Sequence, residues 1–158
     1  MLDGGAIYVE MATLTGLPLD LKITSTTFQS NIASSVSQLA GNGGAISIMG
    51  ATDKVDLTLT LCTIATNKAL GGSGGFIYIP PTSTTSTVYV TTTSITSSEA
   101  KINGGAFYIA GTGHKILNLV DNPMLSNAKA TTGSGGIAYI QGLSSSIEIT
   151  YAAIPSSA

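Results

Sequence analysis

Asn103-Gly104-Gly105-Ala106-Phe107-Tyr108-Ile109 is a polar residue and two glycines leading into a short apolar run. The same arrangement begins at Asp3-Gly4-Gly5, Asn42-Gly43-Gly44, Ser73-Gly74-Gly75 and Ser134-Gly135-Gly136. Successive copies lie 39, 31, 30 and 31 residues apart. A period of that size marks a chain that stacks one supersecondary unit on another. The runs that follow the glycines, 6–9, 45–48, 76–79, 106–109 and 137–140, are rich in β-branched and aromatic residues. Too short for helices and bounded by turn formers, they read as strands.

Each unit carries a second strand with apolar and polar residues alternating, as in Leu57-Thr58-Leu59-Thr60 or Val88-Tyr89-Val90-Thr91. One buried face and one wet face give that pattern. Five residues past the central apolar residue comes a third element, a large apolar residue with Asn or Ser three positions on. The pairs are Phe28 and Asn31, Ile64 and Asn67, Ile95 and Ser98, Met124 and Asn127, and Ile154 and Ser157. Three short strands per roughly 30 residues describe one turn of a solenoid. The expected fold is all-β, a parallel β-helix of about five coils in one domain spanning 1–158. Gly4, Gly5, Gly43, Gly44, Gly74, Gly75, Gly104, Gly105, Gly135 and Gly136 are assigned to corners that need positive φ or close backbone approach. Asn31, Asn67, Ser98, Asn127 and Ser157 are assigned to a second corner, where short polar side chains bond nearby backbone. The extra residues of the first unit are expected in a loop around 9–19 or 34–42.

At these residues the chain resembles the GGA[ILV]…FxxN repeats of polymorphic outer-membrane proteins, which are autotransporter adhesins, and related "probable extracellular repeat" β-helices. Gly4-Gly5-Ala6-Ile7 and Gly43-Gly44-Ala45-Ile46 match the first half, and Phe28-Gln29-Ser30-Asn31 the second. The other units carry degenerate versions. The resemblance implies a right-handed winding, exposure at a cell surface, and adhesion or scaffolding.

Composition removes several classes of function. Apolar residues make up 43% of the chain and charged ones only 9%, a balance unlike that of disordered chains. A net charge of −2 with six lysines and no arginine offers no footprint for nucleic acid or an anionic membrane. No apolar run approaches the length of a membrane span. Cys62 and His114 would be the only soft ligands, so no structural zinc site is expected, and no cofactor.

Candidate chemistry is sparse. Asp53 and Asp56 precede a strand, and paired carboxylates perform glycoside chemistry, yet no second acidic pair falls in their column and a solvated turn is the plainer reading. His114 follows Gly111-Thr112-Gly113 without an acidic partner and reads as a surface residue. Cys62 abuts an apolar strand and reads as buried. The glycine pairs are not phosphate loops, since no Gly-Lys-Ser/Thr follows. No catalytic, cofactor-binding or metal residue is assigned, and the chain is not expected to be an enzyme.

More is expected of the column Tyr8, Ser47, Tyr78, Tyr108 and Tyr139, which alternation turns outward beside Ala6, Ala45, Phe76, Ala106 and Ile137. Such a ridge either stabilises its own sheet or contacts a neighbouring protofilament, glycan or other partner. Thr82, Ser83, Thr84, Thr85, Ser86 and Thr87 follow Pro80-Pro81 in a mucin-like segment, read either as an O-glycan site or as a polar loop.

Neither end shows a polar cap. A second copy placed after Ala158 would put its Gly4 eight residues beyond Ile154, close to the internal corner spacings of 9 to 15. Separate copies stacking head to tail, one segment of a longer tandem chain, and a trimmed fragment all fit. The expected function is that of a non-enzymatic extracellular structural protein in a fibre, with self as principal partner. The alternative is a monomeric surface adhesin for host protein or carbohydrate.

Overall fold

Short alternating strands cannot bury their apolar faces alone, so each must find a neighbour of the same pattern. In this chain the neighbour is the equivalent strand of the next unit. The computed structural model describes residues 3–10, 18–34, 41–50, 54–81, 85–121 and 124–150. Its first passage gives β1 (Ile7–Glu10), β2 (Leu19–Thr24), β3 (Thr27–Gln29) and β4 (Ile32–Ala33). The second gives β5 (Ile46–Met49), β6 (Lys54–Thr60), β7 (Thr63–Ala65) and β8 (Lys68–Ala69). The third gives β9 (Ile77–Ile79), β10 (Thr85–Thr91), β11 (Ser94–Thr96) and β12 (Glu99–Ala100). There follow β13 (Phe107–Ala110), β14 (His114–Val120), β15 (Met124–Ser126), β16 (Lys129–Ala130), β17 (Ala138–Gln141) and β18 (Ser144–Thr150).

Each strand pairs in parallel with the strand four places on. The sheets are β1-β5-β9-β13-β17, β2-β6-β10-β14-β18, β3-β7-β11-β15 and β4-β8-β12-β16. Among the described residues there is no helix. The architecture is a β-solenoid of stacked parallel sheets.

Alternation now becomes an interior. In the second sheet Leu21, Leu57, Val88, Leu117 and Ile147 share one column, and Lys22, Thr58, Tyr89, Asn118 and Glu148 the next. Leu57, Val88 and Leu117 are fully buried, as are Ile46, Ile48, Ile64, Ile77, Ile79, Ile95 and Ile109. Each such side chain contributes about 1.5–3 kcal/mol by leaving water. Phe28, Phe76 and Phe107 run through this interior as a tilted series, with centroids 5.5 and 6.0 Å apart.

Four expectations change. The unit has four ladders rather than three, because the fourth strand is two residues long and too short for periodicity to reveal. In the fourth unit Leu125, not Met124, pairs with Ile95, while Met124 stands opposite Ser94 and is 65% exposed. One extra residue between Val120 and Met124 displaces the five-residue spacing, so Asn127 aligns with Ser97, and Ala128 rather than Asn127 falls opposite Ser98. Phe76 does not flank the tyrosines outside. It is fully buried, as are Ala45 and Ala106, since these residues precede their strands and lie in the corner, where alternation does not run. The additional residues of the first unit are divided between both proposed segments. Leu21 and Leu57 are 36 residues apart in register, whereas Gly4 and Gly43 are 39 apart. Ile154 and Ser157 lie outside the described residues.

Candidate functional site

The corner before the first sheet shows what makes the stack regular. Its first glycine, at Gly4, Gly43, Gly74, Gly104 and Gly135, has φ between 64 and 76°. The second needs glycine for a different reason. A Cβ on Gly44 would run into the Gly75 carbonyl oxygen of the next layer and stand 2.6 Å from the Lys68 nitrogen. Gly5, Gly75 and Gly105 are crowded in the same way.

The polar residue ahead of the glycines forms a ladder of its own. Asp3 Oδ1 accepts from the Gly41 and Asn42 amides, both at 2.7 Å. Asn42 Oδ1 accepts from the Ser73 amide at 2.9 Å, Ser73 Oγ from that of Asn103 at 3.3 Å, and Asn103 Oδ1 from that of Ser134 at 2.8 Å. Asp, Asn and Ser share a short acceptor side chain, which explains why the motif accepts all three. Among the described corner residues, Asn67 is buried, accepts from the Asn31 amide and Nδ2 at 3.1 and 2.8 Å, and donates to the Phe28 carbonyl at 3.0 Å. Ser98 is buried there too, and its Oγ has no hydrogen-bond partner among the described residues.

The tyrosine column is assembled by the register of the first sheet. Tyr8, Ser47, Tyr78, Tyr108 and Tyr139 stand one above another. Tyr78 and Tyr108 stack at 5.0 Å and 11°, and Tyr108 and Tyr139 at 5.3 Å and 3°. Ser47 interrupts the stack; it is fully buried and its Oγ has no partner among the described residues. Burial, with smaller effects from Tyr108 and Asp3, pushes the Tyr78 hydroxyl up to about 12. Burial and Tyr139 raise Tyr108 as well.

Among the described residues, the first and last layers are less covered than those between them. The glycine corners and the strands they lead into are buried from Gly43 to Ile48, from Gly74 to Ile77 and from Gly104 to Phe107, whereas Gly5, Ala6, Gly136 and Ile137 are exposed. Ile7, Val9, Leu19 and Leu21 at one end, and Leu125, Ala138 and Ile140 at the other, are only partly buried against the core. A cavity of about 360 Å³ opens beside Gly135, Ala138, Tyr139, Ile140, Ser145 and Ser146.

The remaining candidates separate. Asp56 is held by Lys54 at 2.7 Å, and Asp20, its neighbour in register, by Lys22 at 2.9 Å. Asp53 lies outside the described residues. His114 is exposed at the start of β14, and Cys62 is buried with Sγ 3.4 Å from the Thr60 carbonyl. No group of three His, Cys, Asp or Glu among the described residues could hold a metal. Ser86 and Thr87 are buried because β10 begins at Thr85, and they are withdrawn as glycan acceptors. Thr85 is half-buried, and residues 82–84 lie outside the described residues.

Sequence reasoning missed Lys115, which is fully buried in the inward column Leu19, Val55, Ser86, Lys115, Ser145. Burial lowers its pKa. Its place two residues before Leu117 in an alternating strand was the available signal. Also missed was Glu99, which stands between Lys68 at 3.4 Å and Lys129 at 3.3 Å across the fourth sheet.

The chain matches no family model, no curated protein and no solved structure.

Proposed function

We propose that the chain is a non-enzymatic, extracellular structural protein, a right-handed parallel β-helix of five coils that stacks end to end into a fibre or forms part of a longer surface fibre. One observation carries this reading: four parallel ladders run along one axis, and the same glycine-corner interface recurs between successive layers. Open strand edges recruit further strands, and a head-to-tail contact between unlike surfaces propagates as an open filament. The resemblance to polymorphic outer-membrane repeats supports the location and the handedness. Scarce lysine and absent arginine would leave few sites for trypsin-like proteases. Sedimentation velocity and negative-stain microscopy of the purified chain test the proposal. Unbranched polymers that lengthen with concentration are expected, and a monodisperse monomer at all concentrations would reject it.

A second reading, a monomeric adhesin, draws on the Tyr78–Tyr108–Tyr139 stack, whose half-buried rings line one outer face. Binding of the monomer to carbohydrate or host-protein arrays, lost in Tyr108→Ala, would favour it over the fibre.

A further inference from the structure

The corner that the stack repeats also contains a reactive covalent step. Two corners read Asn-Gly, at Asn42-Gly43 and Asn103-Gly104, while the others carry Asp3, Ser73 and Ser134 ahead of the glycine. In an Asn-Gly step the glycine nitrogen can attack the asparagine Cγ. Ammonia leaves, a succinimide ring closes, and water opens it to Asp or to isoAsp. Glycine favours the attack because it puts no Cβ in the path of the nitrogen and leaves the backbone free to turn. The fold cannot dispense with this glycine, since Gly43 and Gly104 stand at φ 64° and 65°.

Stacking restrains both reacting groups. Gly43 and Gly104 are buried, and their amides donate to the Ser73 and Ser134 carbonyls of the next layer at 3.0 and 2.9 Å. The carboxamides are held by the same layer. Asn42 Oδ1 accepts from the Ser73 amide at 2.9 Å, and Asn103 Oδ1 from the Ser134 amide at 2.8 Å. Each also fills the space beside a glycine of that layer, Gly72 or Gly133, where a Cβ would collide with it. Ring closure needs Cγ to swing toward the glycine nitrogen and that nitrogen to lose its proton, so these bonds must break first. A single interface thus holds nucleophile and electrophile together in an unreactive arrangement.

We propose that Asn42 and Asn103 are latent modification sites, inert while stacked and deamidated when their layer parts from the next. The two products have different fates. Asp keeps the backbone length and the acceptor oxygen, and Asp3 already places a carboxylate in this corner, accepting from the Gly41 and Asn42 amides at 2.7 Å. IsoAsp routes the main chain through the side-chain methylene. That adds one atom just ahead of a glycine whose amide must meet a carbonyl of the next layer. Chains carrying Asp restack, and chains carrying isoAsp do not.

The full chain is incubated folded and in denaturant at the same mildly alkaline pH, and both steps are followed by peptide mapping that distinguishes Asp from isoAsp. Conversion at Asn42 and Asn103 should be at least about tenfold slower in the folded chain, the factor being set by how seldom the layers open. In sub-denaturing urea it should track hydrogen exchange of the Gly43 and Gly104 amides. After refolding, Asp chains should be recovered in the folded fraction and isoAsp chains depleted from it. Asn103→Asp supplies the first product directly. Its neighbours in the corner ladder are Ser73 and Ser134, so the new carboxylate meets no like charge there, and it should fold with unchanged circular dichroism. Equal conversion in folded and unfolded chains would overturn the proposal, as would isoAsp chains that refold as well as Asp chains, or an Asn103→Asp chain that does not fold.

Discussion

Gly74 and Gly75 are adjacent yet answer different constraints. The first has φ 70°, where an L side chain costs about 1–2 kcal/mol. The second sits against the Gly105 carbonyl, with Glu99 backbone 2.6 Å from where its Cβ would stand. A Cβ on Gly74 would also run into the Ile77 carbonyl oxygen, so Gly74→Ala and Gly75→Ala should each exceed the ~3 kcal/mol of ordinary substitutions. Urea unfolding of the two variants checks both losses. Leu61 presents the converse case, a 56% exposed apolar residue held at φ 55°. Leu61→Gly should stabilise the fold by up to about 1 kcal/mol by the same strain argument; a loss in the same assay would show that the turn draws on the Leu61 side chain. Asn67→Ala strands the Asn31 amide and the Phe28 carbonyl in a buried corner and should cost about 1–3 kcal/mol.

At the scale of elements, the first sheet couples its tyrosines to pH. Tyr78 stays neutral in the fold up to about 12, whereas in an unfolded chain it ionises near 10.0. The folded state therefore retains its proton over that window. The stability this contributes is complete below pH 10 and is lost as pH rises toward 12. Phenolate absorbance should show late-titrating tyrosines, Tyr78 and Tyr108 among them, and Tyr78→Phe should remove the component near 12 and flatten the alkaline decline in stability. The second sheet was legible before folding because Leu57-Thr58-Leu59-Thr60 and its counterparts alternate cleanly. The fourth was not, because Lys68–Ala69 and Glu99–Ala100 are too short to show a period. What defines that sheet is a charge ladder, with Glu99 between two lysines, visible only once register is known.

For the whole molecule, each layer contacts only its neighbours, so stability is close to a sum of layer and interface contributions. Removing residues 76–105 joins Gly75 to Ala106 and keeps every corner in phase. That shortened chain should unfold cooperatively, with a denaturant slope reduced by roughly the share of surface one layer contributes. Removing residues 76–90 instead, about half a layer, should abolish folding, because it shifts one ladder against the others. Circular dichroism during urea titration separates these outcomes.

The recurrence of a polar residue and two glycines was enough to determine a stacked β architecture and its roughly 30-residue repeat. Those features are local, since backbone freedom and alternation belong to each residue and its immediate neighbours. Register was decided only in three dimensions. One residue gained before Met124 turned Leu125 against the core, corner geometry turned Phe76 inward, and Lys115 was drawn into the inward column between Ser86 and Ser145.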